Sequence, residues 1–145
     1  MRELTLEPIS VSEALRAALT SAGLLIDDLE GADRAYFALV DADRRIVGYS
    51  GVETCDDSVL LRSVAIVPEL RSRGFGRSLV ELTIAQVPLS AEVYLATTSA
   101  APFFESFGFT PIQRDQAPKA ILSTRQLSGL CPASATIMRL NRPPT

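Results

Sequence analysis

Apolar and polar positions alternate along this chain in two rhythms, one helical and one strand-like. Leu4 to Pro8 reads as a first strand. Ser10-Val11-Ser12-Glu13 has the form of a capping box, in which the Ser10 hydroxyl accepts an orphan N–H and Glu13 reaches back. It predicts a helix to about Ser21 with Leu15, Ala18 and Leu19 on one stripe, and Gly23 suits its end. Ile26 to Leu29 is expected as a short second helix. The period then changes. Ala35–Val40 and Arg45–Glu53 are strand-like runs around a turn at Asp41-Ala42-Asp43-Arg44. Val59–Val67 is nearly continuous in apolar residues, as expected of a central strand covered on both faces. Gly76–Gln86 is a predicted helix stopped by Pro88, and Val93–Ala96 a short strand. Ala100–Phe107 is a short helix closed by Gly108. Thr110–Gln113 and Ala133–Leu140 are the last strands, with a helical turn at Lys119–Arg125 between them. The order predicts a mixed α/β domain, an antiparallel block followed by a parallel crossover. Residues 1–145 are expected to form one domain, with fraying only at Asn141–Thr145.

Composition narrows the chemistry. With 47% apolar and 21% charged residues, the chain is globular rather than disordered. A net charge of −3, from 14 basic and 17 acidic side chains, argues against nucleic acid as the main ligand. A local basic patch at Arg71, Arg73 and Arg77 stands apart from that balance. The first residues carry no apolar signal region, and no run approaches the roughly 20 apolar residues of a membrane span. Two cysteines, Cys55 and Cys131, make no disulfide framework, so a reduced, cytoplasmic setting is expected. The absence of histidine removes Ser-His-Asp and Cys-His chemistry and the commonest zinc ligand, and no metal is expected. A base here must be a carboxylate, lysine, tyrosinate, thiolate or water.

The most informative stretch is Ser63-Val-Ala-Ile-Val-Pro-Glu-Leu-Arg-Ser-Arg-Gly-Phe-Gly-Arg77. A buried strand enters a turn containing Gly74 and Gly76, and the turn opens a helix. N–H groups at a helix start lack internal partners, the macrodipole adds partial positive charge, and three arginines add more. Such a turn suits a phosphate or pyrophosphate. A Rossmann loop would need glycine where Leu79 stands, and a P-loop would need a lysine that Gly76-Arg77-Ser78 lacks. Arg71-x-x-Gly74-x-Gly76 instead resembles the R/Q-x-x-G-x-G/A loop of the GNAT superfamily, which holds the coenzyme A pyrophosphate. The alternative is a glycine turn that merely joins strand to helix. Ala100-Ala-Pro-Phe-Phe-Glu-Ser-Phe-Gly-Phe109 resembles the A-x-x-F-Y-x-x-x-G-F segment of the same enzymes, whose tyrosine often protonates the departing thiolate. Here that position is Phe104, and the usual asparagine upstream is Thr97. The rings of Phe103, Phe104, Phe107 and Phe109 are expected in the core. The segment Asp115 to Ala135, with Leu60–Ile66 and Gly51-Val-Glu53, looks like the arsenic-resistance (ArsN-type) N-acetyltransferases.

The superfamily resemblance covers about Leu4 to Leu140. It implies a mixed central sheet of about seven strands flanked by about four helices, and acetyl-CoA as co-substrate. The backbone of Val64, Ala65 and Ile66 would meet the pantetheine and the thioester carbonyl. The N–H groups of Ser72, Arg73, Gly74, Phe75, Gly76 and Arg77 would take the pyrophosphate, with Arg71, Thr97 and Phe103 beside the coenzyme. Dimers are common in such proteins. An attacking ammonium must lose a proton. Glu53 is the first choice of base, directly or through water, and Glu92 the second; the alternative for Glu53 is an exposed surface glutamate. Arg62 lies in an apolar strand and needs an anion. It would clamp an acidic substrate group, with Ser63 and Cys131 nearby, or else pair internally with Glu53 or an aspartate. Tyr49, Tyr94, Cys131, Ser134 and water are open as the acid. The expected acceptor is a small, anionic, amino-acid-like amine or toxin. A peptide or protein amine and a non-catalytic acyl-CoA-binding module are the alternatives.

Overall fold

The structure, a computed structural model, describes residues 3–24, 26, 29–31, 33–71, 73–98, 100–124, 127 and 135–141. Its elements are β1 (Thr5–Ile9), α1 (Glu13–Ser21), β2 (Arg34–Val40), β3 (Ile46–Cys55), β4 (Ser58–Ile66), α2 (Phe75–Ile84), β5 (Glu92–Thr97), α3 (Ala101–Glu105), β6 (Phe109–Ile112), α4 (Lys119–Leu122) and β7 (Thr136–Leu140). Short 3₁₀ turns at Pro68–Leu70 and Arg114–Gln116 were not expected. The seven strands hydrogen-bond in the order β1-β2-β3-β4-β5-β7-β6. The β1–β2 and β2–β3 pairs are antiparallel and β4–β5 is parallel. The antiparallel block and the crossover through α2 therefore stand as expected. The insertion of β7 between β5 and β6 does not follow from periodicity. The expected helix at Ile26–Leu29 includes residues outside the described ones, as do the ends of the expected Lys119–Arg125 and Ala133–Leu140 elements.

The chain forms two compact units, Met1–Glu53 with Leu61–Pro88, and Thr54–Leu60 with Leu89–Thr145. In the first, alternation along β2 sorts side chains onto two faces. Tyr36, Ala38 and Val40 join Tyr49 and Ala65 beneath Leu15 and Leu19 of α1. Leu39 joins Val47 beneath Phe75 and Leu79 of α2, with Val64 and Ile66 alongside. α1 is capped by Ser12, not Ser10: the Ser12 Oγ accepts from the Leu15 N–H at 3.2 Å. Ser10 directly follows Ile9, which still pairs with Tyr36, so the chain has only just left the strand there. At the other end Gly23 takes φ +75°. Leu24 N donates to Leu19 O at 2.9 Å and Gly23 N to Thr20 O at 3.0 Å, which closes the helix in a Schellman motif.

Ser63 in β4 has φ +59°, a left-handed conformation unusual for a residue with a side chain. Its effect is visible in the packing. Arg62 meets Glu53 and the ring of Tyr36, on the α1 face, yet Val64 and Ile66 pack with α2. In regular alternation all three would share one face. Ser63 shifts the phase by one residue, as a bulge does.

In the second unit, Tyr94 of β5 and Ile137 of β7 pack with Cys55, Leu60 and Ile121. The ring of Phe104 meets those of Phe103 and Phe109 edge-on, at 5.1 and 5.8 Å between centroids. Phe104 and Phe109 are core, as expected. Phe103 is not: it sits on the outer side of a helix of five residues and is 38% exposed.

Candidate functional site

The turn between β4 and α2 has the geometry its residues suggest. Val67 N–H donates to Val47 O, which ties the end of the strand to β3 before the chain turns. Gly74 is the N-cap of α2 with φ 85° and ψ 0°. No atom lies within 4 Å of where its Cβ would stand, so conformation rather than space requires glycine. A glycine cap offers no side chain to the first turn, and α2 has no acidic residue there. The start of α2 thus holds no carboxylate to repel an anion, and the helix dipole favours one there. Arg71, Arg73 and Arg77 are exposed around it. Arg71 Nε donates to Ile66 O at 3.2 Å, and Arg77 lies 3.5 Å from Glu81, one helical turn on. Ser72 is outside the described residues. The turn fits a pyrophosphate, whose charge would meet the positive end of the helix dipole and the arginines.

Leading into this turn, Val64 and Ile66 are half-buried and Ala65 is buried. Gly48 allows the strands to approach closely here, since a Cβ on it would fall 2.8 Å from Ala65 O. In the second unit, Thr97 Oγ1 accepts from Ala100 N at 3.0 Å and so caps the entry to α3. Glu92 is exposed at the start of β5.

A second constellation lies in the first unit, on the α1 face. The β2–β3 register places Arg34 opposite Glu53 and Tyr36 opposite Gly51. Glu53 is only 3% exposed, so the surface-glutamate alternative is wrong. Arg62 Nη1 donates to Glu53 Oε1 at 2.9 Å in a fully buried pair. The internal pair weighed for Arg62 is thus present. Its Nε also lies 3.4 Å from Ser63 Oγ. Arg34 Nε approaches the same Glu53 oxygen at 3.4 Å. Beneath them the Tyr36 ring lies 5.9 Å from the Arg62 guanidinium carbon, and its hydroxyl donates to Leu29 O at 2.7 Å. Gly51 makes room for that ring: a Cβ would fall 2.7 Å from Tyr36 Cδ1. Sequence reasoning missed Arg34. The signal was its position opposite Glu53 once the hairpin at Asp41–Arg44 is drawn.

Of the candidate acids, Tyr49 and Tyr94 are buried. Burial pushes the Tyr49 phenol above its ordinary range. Tyr94 is pushed up by burial first and then by the charge of Glu92, against a smaller downward pull from Arg139. Both hold their protons at neutral pH. Cys131 and Ser134 lie outside the described residues. Among those residues, no group of histidine, cysteine and carboxylate side chains could hold a metal ion.

The seven-stranded mixed sheet crosses over from β4 to β5 through the glycine-capped α2. A family model of the acetyltransferase (GNAT) domain matches residues 33–111, more than half of the chain, and the chain belongs to that family. Solved structures agree on the fold. A GNAT-family acetyltransferase from Staphylococcus aureus is 17% identical, with 94% of this chain and 99% of that one covered and a TM-score of 0.68. An acyl-CoA N-acyltransferase from Pseudomonas aeruginosa is 15% identical, covering 97% and 100%, at a TM-score of 0.68. N-acetylglutamate synthase from Neisseria gonorrhoeae, solved with coenzyme A and N-acetyl-glutamate, is 16% identical. The match covers 97% of this chain but 36% of that one, at a TM-score of 0.74. No curated protein matches the sequence.

Proposed function

We propose that this protein is an acetyl-CoA-dependent N-acetyltransferase, acting on the amine of a small, anionic, amino-acid-like acceptor or toxin. Residues 1–145 would work as one catalytic domain. The observation that carries the reading is the strand–turn–helix from β4 into α2, with Gly74 left-handed at the helix start and three exposed arginines around it. The first-turn N–H groups bind the pyrophosphate. The backbone of Val64 to Ile66 receives the pantetheine and polarises the thioester carbonyl. Glu53 is enclosed with two arginines, so its role becomes that of holding Arg62. Water then takes the amine proton, because Glu92 stands in register with Ser58, at the opposite end of β4 from Val64 to Ile66. The departing thiolate is a good leaving group, and solvent can protonate it. The arsenic-resistance link rests on the segments Leu60–Ile66, Gly51–Glu53 and Asp115–Ala135 and belongs to this proposal, as do a cytoplasmic setting and a dimer. Among the described residues no helix is long and apolar enough to cross a membrane.

The test is release of free thiol from acetyl-CoA against a panel of amines: glutamate analogues with acidic side chains, plain amino acids, polyamines, aminoglycosides and N-terminal peptides. Release on the amino-acid class is expected, and Gly76→Asp abolishes it by placing a carboxylate at the phosphate-binding turn. An intact protein that does not bind acetyl-CoA sinks the reading. Phe104 favours a second reading, a non-catalytic acyl-CoA-binding module, because it is buried where the family often carries a tyrosine acid. Tight coenzyme binding without thiol release on any amine would select it.

A further inference from the structure

A cavity of about 410 Å³ opens on the α1 face of the first unit. It is bounded by the turn after β1, by Leu29–Gly31 and by the start of β2, Arg34–Tyr36. Small-molecule sites begin at about this size. Its walls include Ile9, Val11, Leu29 and Tyr36, and its cation is Arg34.

Three features single out that arginine. Its side chain is only 12% exposed. Its charge partner is shared: Glu53 Oε1 receives the 2.9 Å hydrogen bond from Arg62, and Arg34 Nε approaches it at 3.4 Å. That approach is not aligned for hydrogen bonding, and Arg34 Nε is a buried donor with no hydrogen-bond partner among the described residues. Finally, the backbone is shaped to hold the guanidinium. Arg34 Nη1 donates to Glu30 O at 2.5 Å, and a Cβ on Gly31 would fall 2.0 Å from that same nitrogen. Glu30 also borders the cavity, but its carboxylate is mostly exposed and pairs with Arg16 at 2.9 Å. A buried cation with partial compensation favours an anion beside it. One guanidinium, with no second arginine or lysine among the described residues of the walls, matches a singly charged planar carboxylate better than a phosphate.

We infer that this cavity binds a carboxylate through Arg34, with Gly31 and Glu53 as its positioning residues, and that the carboxylate is that of the acceptor. The last clause rests on the proposed transferase reading. Arg62 keeps its internal pair, and Arg34 takes the recognition role.

Butyrate and butyramide have nearly the same shape and differ by one charge. Each would be titrated into the isotope-labelled protein and followed through the arginine Nε–H and backbone amide resonances. Butyrate is expected to shift Arg34 Nε–H and Gly31, and butyramide to leave both in place. Arg34→Gln should weaken butyrate binding at least tenfold, and Arg45→Gln, an exposed change in the β2–β3 turn, should not. Gly31→Ala keeps every charge but evicts the guanidinium, and it decides the matter should Arg34→Gln unfold. Equal shifts for acid and amide, or unchanged butyrate binding in a folded variant, overturn the inference. Acetyl-CoA is titrated separately. If it fails to bind while butyrate still shifts Arg34, the transferase reading falls and the carboxylate pocket stands. With turnover established, butyrate should inhibit competitively against a carboxylate-bearing acceptor. Noncompetitive inhibition overturns the assignment to the acceptor.

Discussion

The β4–α2 turn and the Arg34–Glu53–Arg62 cluster both gather arginines, but in opposite electrostatic states. At the turn the guanidiniums are exposed, Arg71 meeting a carbonyl and Arg77 an exposed glutamate, beside the positive end of the α2 dipole. Such groups lose little in water and gain when a multiply charged anion arrives. In the cluster the charges are already out of water, with Arg62 paired to Glu53 and Arg34 only partly compensated by the same carboxylate. Removal of Arg62 hurts the fold first. A residue type therefore says little about role until its burial is known.

The sharpest way to break the comparison is to delete one arginine from each region. Arg62→Ala removes the 2.9 Å partner of the buried Glu53 carboxylate and should cost about 3–5 kcal/mol. Arg77→Ala, in an exposed pair, should cost no more than about 0.5 kcal/mol and weaken acetyl-CoA binding instead. Urea unfolding and coenzyme titration on both variants read the difference, and equal stability losses would erase the distinction. Gly51→Ala tests the floor of the cluster next. The new methyl group meets the Tyr36 ring at 2.7–2.8 Å, and the displaced ring should lower stability by about 1–3 kcal/mol. Gly74→Ala places no atom in contact, so its smaller cost, about 1–2 kcal/mol, comes from the left-handed backbone alone. The smallest effect is in pH. Burial raises Tyr49 and Tyr94 above the ordinary 10.0, so above that value the folded state keeps protons that the unfolded chain releases. Stability is whole below pH 10 and declines as the pH rises past it. The urea midpoint between pH 9 and 11 should fall less in Tyr49→Phe than in the parent.

Much of this was legible because it is local. Gly74 and Gly76 after an apolar strand announce a strand–turn–helix, and the succession of elements along the chain follows from period and turn residues. The Arg62–Glu53 pair was one of two alternatives, and only pairing of β3 with β4 could choose between them. Arg34 was missed because its meaning arises in the register of a hairpin, not in its own neighbourhood. Ser12 displaced Ser10 as the cap because β1 runs one residue further than its apolar pattern. The insertion of β7 beside β5 depends on contacts distant in sequence, which no local rhythm encodes.

The left-handed backbone at Ser63 has a consequence for how this strand can vary. It works as a phase joint. Residues up to Arg62 keep their alternation with the hairpin charges, while Ala65 and Ile66 keep theirs with the two helices. The two halves of β4 can thus change independently. Substitutions that repack the half around Arg62 can leave the register of Val64 to Ile66 untouched.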